Sequence, residues 1–116
     1  MKAPEIQDYQ FGRMVVDQER HTRDLILLPD RVVSNWWRRD GHRLCVQDLQ
    51  QVLDAGPEVL VVGTGAYGLV RVPEETRRAV EAAGIQLQVA RTGKAWRLYN
   101  ELRERQPTAG AFHLAC

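Results

Sequence analysis

The sequence predicts an α/β domain whose first third is rich in strands and whose remainder alternates helices with strands. The main observation is residues 59–62, Val-Leu-Val-Val, because an unbroken, mostly β-branched apolar run is typical of a strand buried on both faces. Residues 85–90 form a second apolar segment one helix later. Because a crossover helix of this length joins parallel strands, we expect the run at 59–62 to be a central strand parallel to 85–90.

Composition excludes several classes of protein. With 116 residues, of which 44% are apolar, residues 1–116 are expected to form a single domain with its own core. The net charge of +1 does not favour a nucleic-acid-binding protein, which would carry a basic excess. No apolar run is long enough to span a bilayer, and no secretory signal is expected at the first residues. The two cysteines, Cys45 and Cys116, are too few for a disulfide framework, so the cytoplasm is the expected compartment.

The first third of the chain has the pattern of strands joined by turns. Residues 14–16 and 22–28 are two candidate strands, and the polar residues 17–20 between them predict an antiparallel hairpin. Residues 31–37 are a further extended candidate. We expect these strands either to complete the main sheet or to pack beside it.

Three helices are predicted from apolar positions that recur three and four residues apart. The first covers residues 46–55. The second begins at Pro73, which is followed by two acidic residues, and ends at Gly84. Thr92 is predicted to cap the third helix, and residues 111–116 are expected to form the last strand.

A loop with Gly63, Gly65 and Gly68 ends the central apolar run. Its spacing matches the dinucleotide-binding fingerprint by letter. In that fold the glycines open the helix directly, whereas residues 69–72 intervene here and no acid ends the next strand. The pattern therefore favours tight turns at a strand end over dinucleotide binding. A small anion held by backbone amides of the loop remains an alternative.

The most polar stretch, residues 38–43, carries three arginines and a histidine directly after two tryptophans. Arginine forks match carboxylate and phosphate geometry, and tryptophan supplies a flat face for stacking. We hypothesise that these residues form an anion- or partner-binding segment near the glycine loop. Because charge runs usually lie at the surface, the pattern favours the alternative, a solvated surface loop that its tryptophans anchor to the core. The predicted site residues are Trp37, Arg38, Arg39, His42, Gly63, Thr64 and Gly65.

No metal, cofactor or catalytic residue is predicted. His42 with Cys45 and His113 with Cys116 form two His-x-x-Cys pairs, but this is not a standard zinc-finger spacing. On a strand, this spacing also directs the two side chains to opposite faces, so a buried and partly hydrogen-bonded His113 is favoured. Ser34, the sole serine, lies in no nucleophile elbow, and nothing in the pattern orients a thiolate pair of His42 and Cys45.

Motifs that carry a family resemblance are distributed over nearly the whole chain. They are Tyr9-x-Phe11-Gly12, Asp24-Leu25-Ile26, Trp37-Arg38 with Gly41-His42, Val61-Val62-Gly63-Thr64-Gly65, Val72-Pro73, Gly84-Ile85, Thr92-Gly93-Lys94-Ala95 and Ala111-Phe112-His113-x-x-Cys116. In this order and spacing they resemble the Mth938-like family, also called the DUF498 family. The resemblance implies an α/β domain of α+β character, with a mixed central sheet flanked by helices and an added N-terminal β-hairpin layer.

The resemblance implies little chemistry. Most members are uncharacterised, one eukaryotic branch is associated with assembly of mitochondrial complex I and another with adipocyte differentiation. Neither branch carries an established catalytic residue, which favours a non-catalytic interaction or assembly protein with an unknown protein partner. The alternative is a protein that binds a small molecule or anion, with or without enzymatic activity, through the glycine loop with Arg38, Arg39 and His42. An exposed apolar patch would favour the first function, and a pocket lined by the loop would favour the second.

Overall fold

A computed structural model describes residues 3–116 of the protein and places its strands in two separate sheets. The elements in chain order are β1 (Ile6–Gln10), β2 (Arg13–Val16), β3 (Glu19–His21), β4 (Leu25–Leu28), β5 (Arg31–Val33), a 3-10 helix (Val46–Leu49), α1 (Gln50–Ala55), β6 (Val59–Thr64), α2 (Glu74–Ala82), β7 (Gln86–Ala90), α3 (Thr92–Arg103) and β8 (Thr108–His113). Within residues 3–116, no helix has the length and apolar character needed to cross a membrane.

The main sheet has five strands in the order β5-β4-β8-β6-β7. β6 is buried at every residue and lies between β7 and β8, to both of which it is parallel. The predicted central strand and its parallel partner are thereby confirmed, with Val59 opposite Gln86 and Gly63 opposite Ala90. β4 and β5 complete the sheet in antiparallel fashion beyond β8.

The second sheet contains β1, β2 and β3, and here the predicted hairpin was only half correct. β2 pairs with β3 rather than with residues 22–28, across the turn residues Asp17 and Gln18, whose φ angles are 49° and 73°. Two positive φ values are typical of the tight turns that join hairpin strands. β4 instead lies in the main sheet, and residues 22–24 connect the two sheets. The sequence predicted a single strand over residues 22–28 because no glycine or proline marks the connection at residues 22–24.

Both faces of the main sheet are covered, so the fold contains two hydrophobic cores. One face packs against α1, α2 and the segments that precede each of these helices. The core on this face includes Ile26, Leu28, Leu60, Val62, Val52, Val80 and Ala111. The other face packs against α3 and the small sheet, and its core includes Leu25, Leu27, Val61, Phe112, Tyr99, Met14 and Val16. Successive residues of β4 and β6 therefore enter opposite cores, which explains why their apolar runs are unbroken.

Thr92 does not cap α3 as the sequence suggested. The N-cap residue is Arg91, which makes no side-chain capping hydrogen bond, and Thr92 is the first helical residue. The Thr92 hydroxyl instead accepts a hydrogen bond from the Gly65 amide at 2.8 Å and donates one to the His113 carbonyl at 2.7 Å. It thereby joins the start of α3 to the ends of β6 and β8, where the predicted site residues lie.

Candidate functional site

The glycine loop and residues 37–42 meet at His113, the last residue of β8. Arg38 Nη2 lies 3.2 Å from His113 Nδ1. Gly65 contacts the same ring, since a Cβ atom built on Gly65 would lie 2.8 Å from His113 Cδ2. The two segments that the sequence singled out are therefore neighbours, with the imidazole of His113 between them.

Arg38 is not the surface arginine that we expected, because only 8% of the residue is exposed. Its Nη1 donates to Asp24 Oδ2 at 2.6 Å, and its Nη2 donates to the Gly41 carbonyl at 2.9 Å. The guanidinium also lies over the ring of Trp36, 5.0 Å from its centroid. Arg38 therefore anchors its loop to the body of the protein, and its charge is already neutralised by a carboxylate.

Asp24 is the centre of this buried cluster, although sequence reasoning assigned it no role. Its Oδ2 accepts hydrogen bonds from Arg38 and from His113 Nδ1, the latter at 2.7 Å, and its Oδ1 accepts one from the Leu114 amide at 2.9 Å. Burial raises the pKa of Asp24, but the hydrogen bonds from His113, the Leu114 amide and Arg38 outweigh burial and hold this pKa below its usual value. The signal available in the sequence was the position of this acidic residue, directly before a run of four apolar residues.

The tautomer of His113 follows from the same contacts. Nδ1 faces the Asp24 carboxylate, so Nδ1 carries a proton and donates it. Nε2 is buried and has no hydrogen-bond partner within residues 3–116. The cluster therefore holds the ring in one orientation through its Nδ1 side, which lets His113 act as a rigid spacer between Arg38 and Gly65.

The other predicted residues of this loop remain at the surface. Trp37 is largely exposed, as are Arg39 and His42. The Arg39 amide donates to Asp48 Oδ1 at 3.2 Å, and the His42 amide donates to Asp40 Oδ1 at 2.9 Å. The loop therefore has a fixed backbone, with Arg38 directed inward and three side chains available to a partner.

The glycine loop allows other groups to approach its backbone closely, and here those groups belong to the same chain. The amides of Gly65, Ala66 and Leu69 donate to Thr92 Oγ1, the Ala115 carbonyl and the Cys116 carbonyl. Of the amides from residue 65 to residue 70, that of Tyr67 alone has no acceptor in the described part of the chain. Thr64 is buried as well, and its hydroxyl donates to the Ala90 carbonyl. This arrangement offers no group of free amides to an anion.

Replacing Gly65 by Ala is expected to lower the free energy of unfolding by about 1–3 kcal/mol. Gly65 has a φ of +105°, and a Cβ there would lie 2.5 Å from the Cys116 carbonyl oxygen. The matched control is Gly93→Ala, in the first turn of α3, where nothing lies within 4 Å of the new Cβ. Urea unfolding should show Gly93→Ala as stable as the parent or more stable. Equal stability of the two variants would contradict the tight fit at Gly65.

The rings of Phe11 and Tyr67, together with Leu69, form an exposed patch that we call the aromatic patch, and Tyr67 is part of the glycine loop. Phe11 is 58% exposed and Tyr67 is 62% exposed, and their ring centroids are 5.9 Å apart. Leu69, in the same loop as Tyr67, is about half exposed. Sequence reasoning did not identify this patch. The available signal was that Phe11 and Tyr67 each precede a glycine. Both glycines have positive φ in the structure, which places the two rings at turns.

Comparison with known proteins agrees with this architecture. The family model described as "Protein of unknown function (DUF498/DUF598)" matches residues 6–113. A conserved hypothetical protein from Pyrococcus horikoshii has 25% sequence identity and a TM-score of 0.82, covering 97% of this chain and 99% of its own. A protein from Bordetella parapertussis has 27% identity and a TM-score of 0.81, covering 98% of each chain. A Bordetella pertussis protein described as a Mth938-like domain has 24% identity and a TM-score of 0.74, covering 96% of this chain and 85% of its own. The chain belongs to the DUF498 family of proteins of unknown function, and it has the Mth938-like fold.

Proposed function

We propose that the protein acts by binding another protein, without catalysing a reaction, and that the aromatic patch is the centre of the binding surface. The observation that carries this proposal is the pair of adjacent, mostly exposed rings of Phe11 and Tyr67. Exposed apolar groups in contact with one another mark interaction sites more often than single exposed apolar residues do. Aromatic side chains are also enriched at protein interfaces, where they supply a large contact area.

The patch is held rigidly, which suits a binding surface. The Gly12 amide, next to Phe11, donates to the Leu114 carbonyl at 2.7 Å. The Ala66 amide, next to Tyr67, donates to the Ala115 carbonyl at 2.7 Å. Both turns are therefore fixed to the same C-terminal segment. Because the backbone beside both rings is already fixed, less backbone entropy is lost when a partner binds.

We include the loop at residues 37–42 in the proposed surface as a secondary part. Trp37 supplies a third exposed aromatic ring, and Arg39 and His42 add polar groups of the kind found at the rim of interfaces. The buried residues Arg38, Gly63, Thr64 and Gly65 would then act indirectly, by holding the two exposed segments on either side of His113.

For the partner, we propose a subunit of a respiratory or other membrane complex during its assembly. This choice rests on the family resemblance, one branch of which is associated with complex I assembly. A near-neutral net charge of +1 supports a protein partner over a nucleic acid. The two cysteines are free, as is typical of a reducing compartment, and we propose the cytoplasm as the place of binding.

The double variant Phe11→Ser/Tyr67→Ser tests this proposal. Affinity capture from the native host, with mass spectrometry, should identify partners of the parent, and calorimetric titration should then show binding to the variant weakened about 30-fold or more, as for a hot spot. The melting temperature should change by only a few degrees, because both side chains are exposed.

The matched control is Val89→Ser, which removes an exposed apolar side chain from β7, the strand at the opposite edge of the sheet from β5. It should retain every partner. Trp37→Ser measures the contribution of the secondary part of the surface. The proposal fails if the folded Phe11→Ser/Tyr67→Ser protein binds every partner with the affinity of the parent.

A further inference from the structure

A cleft of about 650 Å³ lies between the loop at residues 40–43 and the segment that leads into α2. Its charged or titratable lining residues are Asp40, His42, Arg43, Arg71 and Glu74. Its volume is in the range of small-molecule sites. Neither the aromatic patch nor the glycine loop lines this cleft, which shares only Asp40 and His42 with the proposed protein-binding surface.

Backbone pairing places two arginines that line this cleft at directly opposite positions. Arg43 and Arg71 form a parallel β-bridge. It is secured by the Arg71 amide, which donates to the His42 carbonyl at 2.9 Å, and by the Leu44 amide, which donates to the Arg71 carbonyl at 2.9 Å. Residues directly opposite each other on paired strands project to the same side, and like charges in such a pair repel. A pair of like charges at opposite positions disfavours the folded state modestly, and an anion bound between the two side chains would offset this repulsion.

The acidic residues of the cleft form no direct ion pair with these two arginines. In the described range 3–116, no carboxylate oxygen lies within 4.0 Å of either guanidinium. The Glu74 carboxylate is paired with Arg78 Nε at 3.2 Å. Asp40 Oδ1 accepts the His42 amide at 2.9 Å. Within residues 3–116, neither arginine therefore has a carboxylate in direct contact, although Asp40 and Glu74 line the same cleft.

We propose that this cleft binds the oxyanion group of a small metabolite, a phosphate or a carboxylate, between the guanidinium groups of Arg43 and Arg71. Planar guanidinium forks donate paired hydrogen bonds to both kinds of oxyanion. A bound anion would also remove the repulsion between the two arginines. The site goes beyond the protein-binding function proposed above, and it relocates anion recognition from the glycine loop to the start of α2.

The proposal is tested by titrating isotopically labelled protein with sodium phosphate and, separately, sodium succinate at constant ionic strength. Amide resonances of residues 43–44, 71–72 and 74–75 should shift and saturate at roughly millimolar anion. Saturation by phosphate at the lower concentration indicates a phosphorylated metabolite, and saturation by succinate at the lower concentration indicates a carboxylate. Arg43→Gln/Arg71→Gln should weaken binding at least tenfold. The control Arg20→Gln/Arg105→Gln removes the same charge from exposed positions elsewhere and should leave the affinity unchanged.

A second readout separates loss of binding from loss of folding. Without added anion and at low salt, Arg43→Gln/Arg71→Gln should unfold at the temperature of the parent or slightly higher, because the repulsion has been removed. Added anion should raise the melting temperature of the parent and not that of this variant. The proposal is overturned if neither anion gives saturable shifts, or if the variant and its control bind with equal affinity.

Discussion

Replacing Asp24 by Asn is expected to lower the free energy of unfolding by about 3–5 kcal/mol, the usual cost of removing one partner from a buried ion pair. The Arg38 side chain is only 5% exposed and takes its negative counter-charge from Asp24. Asn has the same shape but no charge, so the buried guanidinium would be left without compensation. The hydrogen bond from His113 Nδ1 to the same carboxylate would be weakened as well.

Urea unfolding at neutral pH measures this loss, with Asp30→Asn as the matched control. Asp30 pairs with Arg31 at 3.2 Å, but both side chains are more than half exposed. Exposed pairs of this kind contribute about 0–1 kcal/mol, so the control should stay close to the parent. Equal effects of Asp24→Asn and Asp30→Asn would show that the buried cluster does not stabilise the fold.

The same variant should change how stability depends on pH. The pKa of Asp24 is lower in the folded protein than its usual value of about 4. A depressed folded-state pKa means that the stabilisation is fully present above the unfolded-state pKa and is lost as the pH falls through the folded-state pKa. The stability difference between the parent and Asp24→Asn should therefore be constant from neutral pH to about 5 and should shrink below about 4. A difference that stays constant down to acid pH would contradict the assignment.

Replacing Leu60 by Ala should lower the free energy of unfolding by about 2–5 kcal/mol, the range for a buried leucine in a well-packed core. Leu60 is fully buried on β6 and belongs to the core that also contains Ile26, Val62 and Val80. Strands lie on both sides of β6, so the sheet has little freedom to close the cavity that remains.

The control for Leu60→Ala is Leu69→Ala, which removes the same atoms from an exposed side chain. Its effect should be within about 0.5 kcal/mol, as for most surface substitutions. The two variants can be compared by urea unfolding under identical conditions. A small effect at Leu60 together with a larger one at Leu69 would be incompatible with β6 as a buried central strand.

The elements whose signals lie within a short stretch of chain were predictable from sequence. The run at residues 59–62 specifies a strand buried on both faces, because every residue in it is apolar and most are β-branched. One helix-length connection then suffices to make its pairing with β7 parallel. The helices α2 and α3 follow from the spacing of their apolar positions. Each of these signals depends on neighbours along the chain, so no knowledge of distant residues was needed.

Contacts between distant segments were decided by the tertiary structure alone. Arg38 has the sequence context of a surface residue, yet its loop folds over Asp24 and His113 and buries it. Arg43 and Arg71 are ordinary polar residues in sequence, and only the bridge between their segments places them opposite each other in one cleft. Periodicity and composition indicate whether a helix or strand is buried. They do not indicate which side chains from distant parts of the chain will contact it. By itself, the sequence therefore determined the fold class and the central strand, whereas the buried cluster, the aromatic patch and the cleft arose from long-range packing.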